Sequence, residues 1–240
     1  MNRNLSDCAA MACLPVAAVA TVALPRGTSM DYAKELYLGM KEAADVFRCE
    51  IVGGDTAAWD GKLVATVSII GRSDGIQPVR RSGSRPGDLI CVTGELGGSL
   101  LGRHMIFTPH VFEARAMAST GLITSMIDIS DGLSRDLRQI CNESRVGAVI
   151  RAAEIPVHED AIEMRRDGRT PLEHALHDGE DHELLFTASS LEWIKAWQQL
   201  QPLQDFKVTE IGTITAEPGI FLEHGGQRTP LEPKGWEHTF

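Results

Sequence analysis

The sequence predicts a two-domain α+β protein, with a mixed sheet and helices over residues 1–82 followed by an α/β domain over residues 83–240. Three observations lead there. Apolar runs of strand length alternate with segments of helical periodicity along the chain. A single stretch rich in Gly, Pro and charge, Val79 to Asp88, interrupts that alternation as an interdomain connection does. Acidic turns stand where apparent strands end, at Val52-Gly53-Gly54-Asp55-Thr56 and at Ile127-Asp128-Ile129-Ser130-Asp131-Gly132-Leu133.

The N-terminus imitates a secretory signal, because Met1 to Asn4 carries a basic residue and Cys8 to Leu24 is uncharged. Asp7 ahead of that run and Pro15 inside it argue otherwise, and the run is short for a membrane span. The preferred assignment is a short helix near Asp7 and a buried strand over Val16 to Leu24. From Met30 to Phe47, Ala33, Leu36, Tyr37, Met40, Ala43, Ala44 and Phe47 recur at helical spacing opposite Lys34, Glu35, Lys41 and Glu42. A short strand then ends at Gly53-Gly54, a turn sits at Asp60-Gly61, and Leu63 to Ile70 alternates as the second arm of a hairpin.

In the second domain Leu89 to Thr93 reads as a buried strand, and Gly94 to Ser99 as a Gly-rich turn opening a helix. Helices follow over Ser134 to Asn142, Ala161 to Arg166 and Leu191 to Leu200. Strands follow over Val146 to Arg151, Glu183 to Thr187, Val208 to Ile214 and Ile220 to Leu222.

With 240 residues, 43% of them hydrophobic, the chain can bury a sizeable core. Its net charge of −10 excludes a general nucleic-acid binder, which needs clustered Lys and Arg. A small anionic substrate remains compatible with that charge if metal ions mediate the contact. The five cysteines, Cys8, Cys13, Cys49, Cys91 and Cys141, are odd in number and lack ligand spacing, which points to a reducing cytoplasm.

Asp128 and Asp131 would repel each other without a cation, and Ser130 with neighbouring N–H groups offers donors to a phosphate. The plainer alternative is that Asp131 caps the next helix. Gly53-Gly54 permits close backbone approach and puts Asp55 at a strand end, although a simple turn has the same composition. Asp7 in Asn4-Leu5-Ser6-Asp7 could equally be an ordinary helix cap. Arg80, Arg81 and Arg85 could fork onto phosphate oxygens or be plain solvated charges. The Gly94 to Ser99 turn lacks the Lys-Ser/Thr ending of a P-loop. His174 to Glu183 is dense in His and carboxylate but without tetrahedral spacing, so a substrate loop is favoured over zinc. Trp236 could stack on a flat cationic ring or simply anchor packing.

In combination, Asn4-Leu5-Ser6-Asp7, Val52 to Thr56, Arg81-Ser82-Gly83 with Arg85 to Asp88, Ile127 to Leu133, Gly179-Glu180-Asp181 with Glu183 to Phe186, and Gly235-Trp236 resemble, in order, the motifs of the thiamine-monophosphate kinase family. The resemblance implies ATP-dependent transfer of a phosphoryl group onto thiamine monophosphate, with Mg2+ as cofactor and no phosphoenzyme. It implies magnesium ligands at Asp7, Asp55, Asp128 and Asp131, with Asp128 and Asp131 at the catalytic centre. It further implies ATP contacts at Gly54, Asp55, Arg81 and Ser130, and thiamine-substrate contacts at Glu180 and Trp236. A cytoplasmic homodimer joined through the first domain's sheet, binding small molecules and neither nucleic acid nor membrane, completes the expectation. Two departures accompany it. The family has an upstream Gly-Asp-Asp-type metal loop and a substrate-contacting His, so the first domain is expected to be incomplete at its start. Asp178 replaces the first Gly of the family's Gly-Gly-Glu-Asp. Other ATP-using members of the superfamily, and a non-catalytic nucleotide or thiamine-phosphate binding module, are the alternatives.

Overall fold

The structure, a computed structural model, describes residues 1–190, 192 and 206–235. The helix expected over Leu191 to Leu200 therefore lies outside the described residues, apart from Glu192, and so does Trp236.

The chain opens with α1 (Asn2–Ala10), β1 (Leu14–Pro25), α2 (Met30–Val46), β2 (Glu50–Trp59) and β3 (Val64–Arg72). The three strands form a sheet in the order β2-β1-β3, with β2 parallel and β3 antiparallel to β1. The expected hairpin is thus corrected: β2 and β3 are neighbours in sequence but β1 lies between them. β1 is a 12-residue, nearly all-apolar strand, and hydrogen-bonding partners on both edges suit it better than an edge position would. β2 also continues past Gly54, so Asp55 sits in mid-strand opposite Thr21 rather than at a strand end. Gly54 is needed there, since a Cβ would lie 1.8 Å from the Ala20 carbonyl oxygen. Helix α2 starts at the Ser29 cap, whose side chain accepts the Tyr32 N–H. Its apolar face is only lightly buried: Leu36, Tyr37 and Met40 border an open cavity of about 430 Å³ over β1 and β2.

Beyond the connection come β4 (Leu89–Thr93), α3 (Val111–Ser119), β5 (Ile123–Asp128), α4 (Leu133–Ser144), β6 (Gly147–Arg151), α5 (Glu159–Glu163), α6 (Pro171–His177), β7 (Leu184–Ala188), β8 (Val208–Thr215), β9 (Gly219–His224) and β10 (Gln227–Pro230). Seven strands form one sheet in the order β10-β9-β6-β8-β4-β7-β5, antiparallel except for β6 with β9. Period-2 alternation splits its side chains between two cores. Cys91, Met126, Leu184 and Phe186 face α1 and α3, packing on Leu5, Ala9, Val111 and Met117. Ile90, Val92, Ile127 and Leu185 face α4 and α6, packing on Leu133, Leu137, Ile140 and Leu176. Helix α1, first in the chain, is therefore a layer of the second sheet's core, and this brings Ser6 and Asp7 to the end of β5.

The connection is more than a solvated tether. Ser84, Ser125, Thr124 and Thr187 hydroxyls form a linked cluster at 2.6–2.9 Å, and the Thr124 hydroxyl donates to the Asp88 carboxylate at 2.7 Å. The Gly94 to Ser99 turn opens only two short 3-10 turns, Ser99–Leu101 and Arg103–Met105, in place of the expected helix.

Candidate active site

Strand β5 delivers Asp128 to a buried position where its Oδ2 accepts the Ser6 hydroxyl at 2.7 Å and lies 3.4 Å from His182 Nδ1. The turn Ile129 to Gly132 then leads into α4. Asp136, in the first turn of α4 and 1% exposed, folds back so that its Oδ2 accepts the N–H groups of Ser130 and Asp131 at 3.1 and 3.0 Å. Those two N–H groups are therefore satisfied internally, which corrects the expectation that they stand ready for a phosphate. Burial, followed by the negative charges of Asp131 and Asp128, pushes the Asp136 carboxyl up to about 7 against the pull of those two donors. Asp131 does not cap the helix: Gly132 holds the cap position without a side-chain bond, and Asp131 instead stands 3.9 Å from Arg135.

The Gly-Glu-Asp segment interlocks with this turn. The Glu180 N–H donates to Ser130 O at 2.9 Å, the His182 N–H to Ile129 O at 2.8 Å, and the Ile129 N–H to Glu183 O at 2.8 Å. Close approach requires glycine on both sides. A Cβ on Gly179 would lie 2.4 Å from Ser130 O, and one on Gly132 would lie 2.9 Å from His177 O. Glu180 and His182 adopt left-handed backbone angles, φ 66° and 53°, which non-glycine residues rarely hold unless their surroundings impose them.

The segment divides its side chains. The Glu180 carboxylate pairs with Arg3 of α1 and stands 3.4 Å from His182 Nε2. Asp181 points the other way, accepting the Gly97 N–H and the Ser99 hydroxyl with Arg103 alongside, so it holds the Gly-rich turn as an internal anion. Burial raises its carboxyl to about 6 despite those donors. Asp178, the departure from the family's glycine, is buried, lies 2.9 Å from His174 Nδ1 and accepts a hydrogen bond at 2.8 Å from the partly exposed Arg169. His174 itself lies in α6, within a stretch whose composition had read as loop.

Asp7 borders a cleft of about 520 Å³ together with Arg80, Arg81, Ser82, Asp128 and Glu143. Water reaches Asp7, yet the protein crowding its other side raises its carboxyl to about 6, with Asp128 adding repulsion and His182 and Arg81 opposing it. Asp7, Asp128, Arg81 and, through His182, Glu180 are thus brought together. Gly54 and Asp55 are not: they line the separate cavity beneath α2, and Asp55 accepts the Thr56 N–H. Among the described residues no three His, Cys, Asp or Glu side chains are grouped closely enough to hold a metal ion. The backbone just before Trp236 meets the turn, with Lys234 O accepting the Ser134 hydroxyl and Gly235 lying against Asp131 O.

Sequence reasoning missed Ser6, Asp136, His182 and Phe107. The Phe107 ring stacks on His182 with centroids 4.1 Å apart and 13° between planes. His182 stood inside the noted polar stretch, so its composition was a signal. Asp136 and Phe107 carried none, since only the folded turn and the 3-10 connection bring them here.

Comparison with known proteins places this geometry. The N-terminal and C-terminal domain families of AIR synthase related proteins match residues 1–73 and 108–225. Thiamine-monophosphate kinase of Rhodopirellula baltica is 43% identical over 99% of this chain and 74% of that protein. The chain belongs to the thiamine-monophosphate kinase family. A second member of the family, from Pyrococcus abyssi, is 34% identical over 99% of this chain and 77% of its own length. Among solved structures, AaThiL complexed with AMPPCP and TMP superposes with a TM-score of 0.85 at 29% identity, covering 99% of this chain and 78% of that one.

Proposed function

We propose that the protein phosphorylates thiamine monophosphate to thiamine diphosphate with ATP and Mg2+, by direct in-line transfer. The observation that carries this reading is the superposition over 99% of the chain on a relative complexed with AMPPCP, an ATP analogue, and TMP. The cleft supports it. Asp7 and Asp128 offer hard oxygen ligands, and Asp128 is close enough to disfavour the charge on Asp7, a conflict that a divalent cation relieves. Asp7 and Asp128 would hold Mg2+ together with the phosphates of the substrates, the usual arrangement for this ion, whereas Asp131 and Asp55, the other two carboxylates that the family resemblance implies, are not grouped with them here. When bound, Mg2+ neutralises charge on the transferring phosphoryl oxygens.

The protein's own groups then position the reactants. Arg81 forks onto phosphate, Gly54, Asp55 and Ser130 contact the nucleotide, and Glu180 and Trp236 receive the thiamine moiety. Ser6 and His182 fix the orientation of Asp128. The acceptor phosphate is already ionised near neutral pH and needs little help from a base. This reading places the domain boundary near Ser82 and the protein in the reducing cytoplasm. It also makes the three-stranded sheet a homodimer surface, since Val52, Trp59, Val64 and Ile70 are exposed on it.

The position of Asp55, in a cavity apart from Asp7 and Asp128, favours one second reading: a module that binds nucleotide or thiamine phosphate without turnover. Chromatography of products from ATP, Mg2+ and a choice of thiamine monophosphate, thiamine or no acceptor separates the two. Thiamine diphosphate formed from the monophosphate alone supports the kinase; nucleotide binding with no new phosphate ester in any mixture refutes it.

A further inference from the structure

Away from the cleft, and sharing no lining residue with it, a cavity of about 360 Å³ opens where α4 ends beside the start of β9. Arg138, Asn142 and Arg145 border it on the helix side, and Pro218, Gly219 and Ile220 on the strand side, with no carboxylate among its lining residues. Arg138 and Arg145 are two helical turns apart, which puts them on one face. Arg145 is also the left-handed residue that ends the helix.

A helix C-terminus favours cations, and that accounts for positive charge at this point. It does not account for how the charge is held. Two of the last four carbonyls of α4 are already taken, Cys141 O by the Val146 N–H and Asn142 O by the Arg145 N–H. The Arg138 Nε–H is buried with no hydrogen-bond partner, whereas buried donors are normally satisfied. Acidic residues outnumber basic ones by 33 to 23 in this chain, and Arg103, Arg151, Arg169 and Arg228 each pair with a carboxylate. Among the described residues neither Arg138 nor Arg145 does. Two arginines, one with a buried unused donor, thus line an acid-free cavity of small-molecule size.

We propose that this cavity is an oxyanion site, taking a phosphate ester or a carboxylate between Arg138 and Arg145 with the Asn142 amide as a further donor. The planar forks of guanidinium groups match such oxygens in geometry as well as charge. The site does not depend on the chemistry proposed for the cleft.

Inorganic phosphate is the probe, titrated at constant ionic strength against chloride while the melting temperature is followed. Wild type, Arg138→Gln/Arg145→Gln and the cleft variant Arg81→Gln are compared. Phosphate should raise the melting temperature of wild type and of Arg81→Gln, and its apparent affinity should weaken on the order of tenfold or more in the double variant. An unchanged response in the double variant, a response lost only in Arg81→Gln, or no response in wild type overturns the proposal. Should the double variant fold poorly, Arg145→Gln alone, at an exposed position, and the Arg138 Nε–H resonance of wild type serve instead. That resonance must move on phosphate addition and stay put with chloride; if phosphate leaves it unmoved, the site is absent.

Discussion

Replacing Gly179 by Ala tests whether the Gly-Glu-Asp segment and the Asp128 turn form one rigid unit. The added Cβ would lie 2.4 Å from Ser130 O, with the Asp131 Cα at 3.4 Å on the same side. Relief to ordinary contact needs the two segments to part by roughly 1 Å. Three backbone hydrogen bonds of 2.8–2.9 Å tie them together, and the bond from the Glu180 N–H to Ser130 O is the first to stretch. Overpacking of this kind costs about 1–3 kcal/mol, and a weakened hydrogen bond adds about 1 kcal/mol. The expected loss is therefore about 2–4 kcal/mol, or a melting temperature lower by about 5–15 °C for a chain of this size. Displacing Glu180 by that distance should also cut kcat/KM for thiamine monophosphate by about 100-fold. Calorimetry and a steady-state assay read the two effects. Wild-type melting temperature together with wild-type kcat/KM would refute the interlock.

The opposite sign is expected at Gly39, which lies in α2 with nothing within 4 Å of a new Cβ. Gly39→Ala should stabilise by about 1 kcal/mol and raise the melting temperature by about 2–4 °C; a lower melting temperature would contradict the helix assignment. Thr187→Val removes the hydroxyl on which Ser84, Ser125 and Thr124 converge, and chemical denaturation should report a loss of about 2–3 kcal/mol from the stranded partners. The Asp181 carboxyl is raised by burial to about 6 in the folded protein, so the native state holds its proton more tightly than the unfolded chain does. Its contribution is full below the unfolded value near 4 and is lost as pH rises through 6, a difference of about 3 kcal/mol. Denaturation across that window should show a shallower fall for Asp181→Asn than for wild type, and parallel slopes would contradict the assignment.

What was legible in the sequence depended on how local its cause is. β4 (Leu89–Thr93) matches its apolar run residue for residue and α4 follows its periodicity closely, because burial on one face writes itself directly into the pattern; α2 follows its periodicity as well, although its apolar face is only lightly buried. The β2 and β3 pairing was misread because Asp60-Gly61 is a good turn wherever the next strand goes. Only the demand of β1 for two partners decides against a hairpin. Helix α6 was missed although its start was written out: Thr170 caps Glu173, Glu173 returns the bond, and Pro171 stands at the first position. The charge density of His174 to Glu183 outweighed that signal. In the site, the acidic motifs carrying Asp7 and Asp128 border one cleft, while the one carrying Asp55 lines a separate cavity. The support for Asp128 from Ser6 and His182, and for its turn from Asp136, is tertiary. A helix 122 residues upstream and a loop 54 residues downstream converge on one carboxylate, and spacing along the chain carries no trace of it.

The rate of thiamine diphosphate formation by wild type and by Asp128→Asn tests the central claim most directly, with ATP, Mg2+ and thiamine monophosphate saturating and folding verified for both. The account predicts one ADP per thiamine diphosphate for wild type, and a loss of roughly 1,000-fold or more in the variant, since charge neutralisation at the phosphoryl group dominates such reactions. Wild-type turnover by folded Asp128→Asn would contradict it.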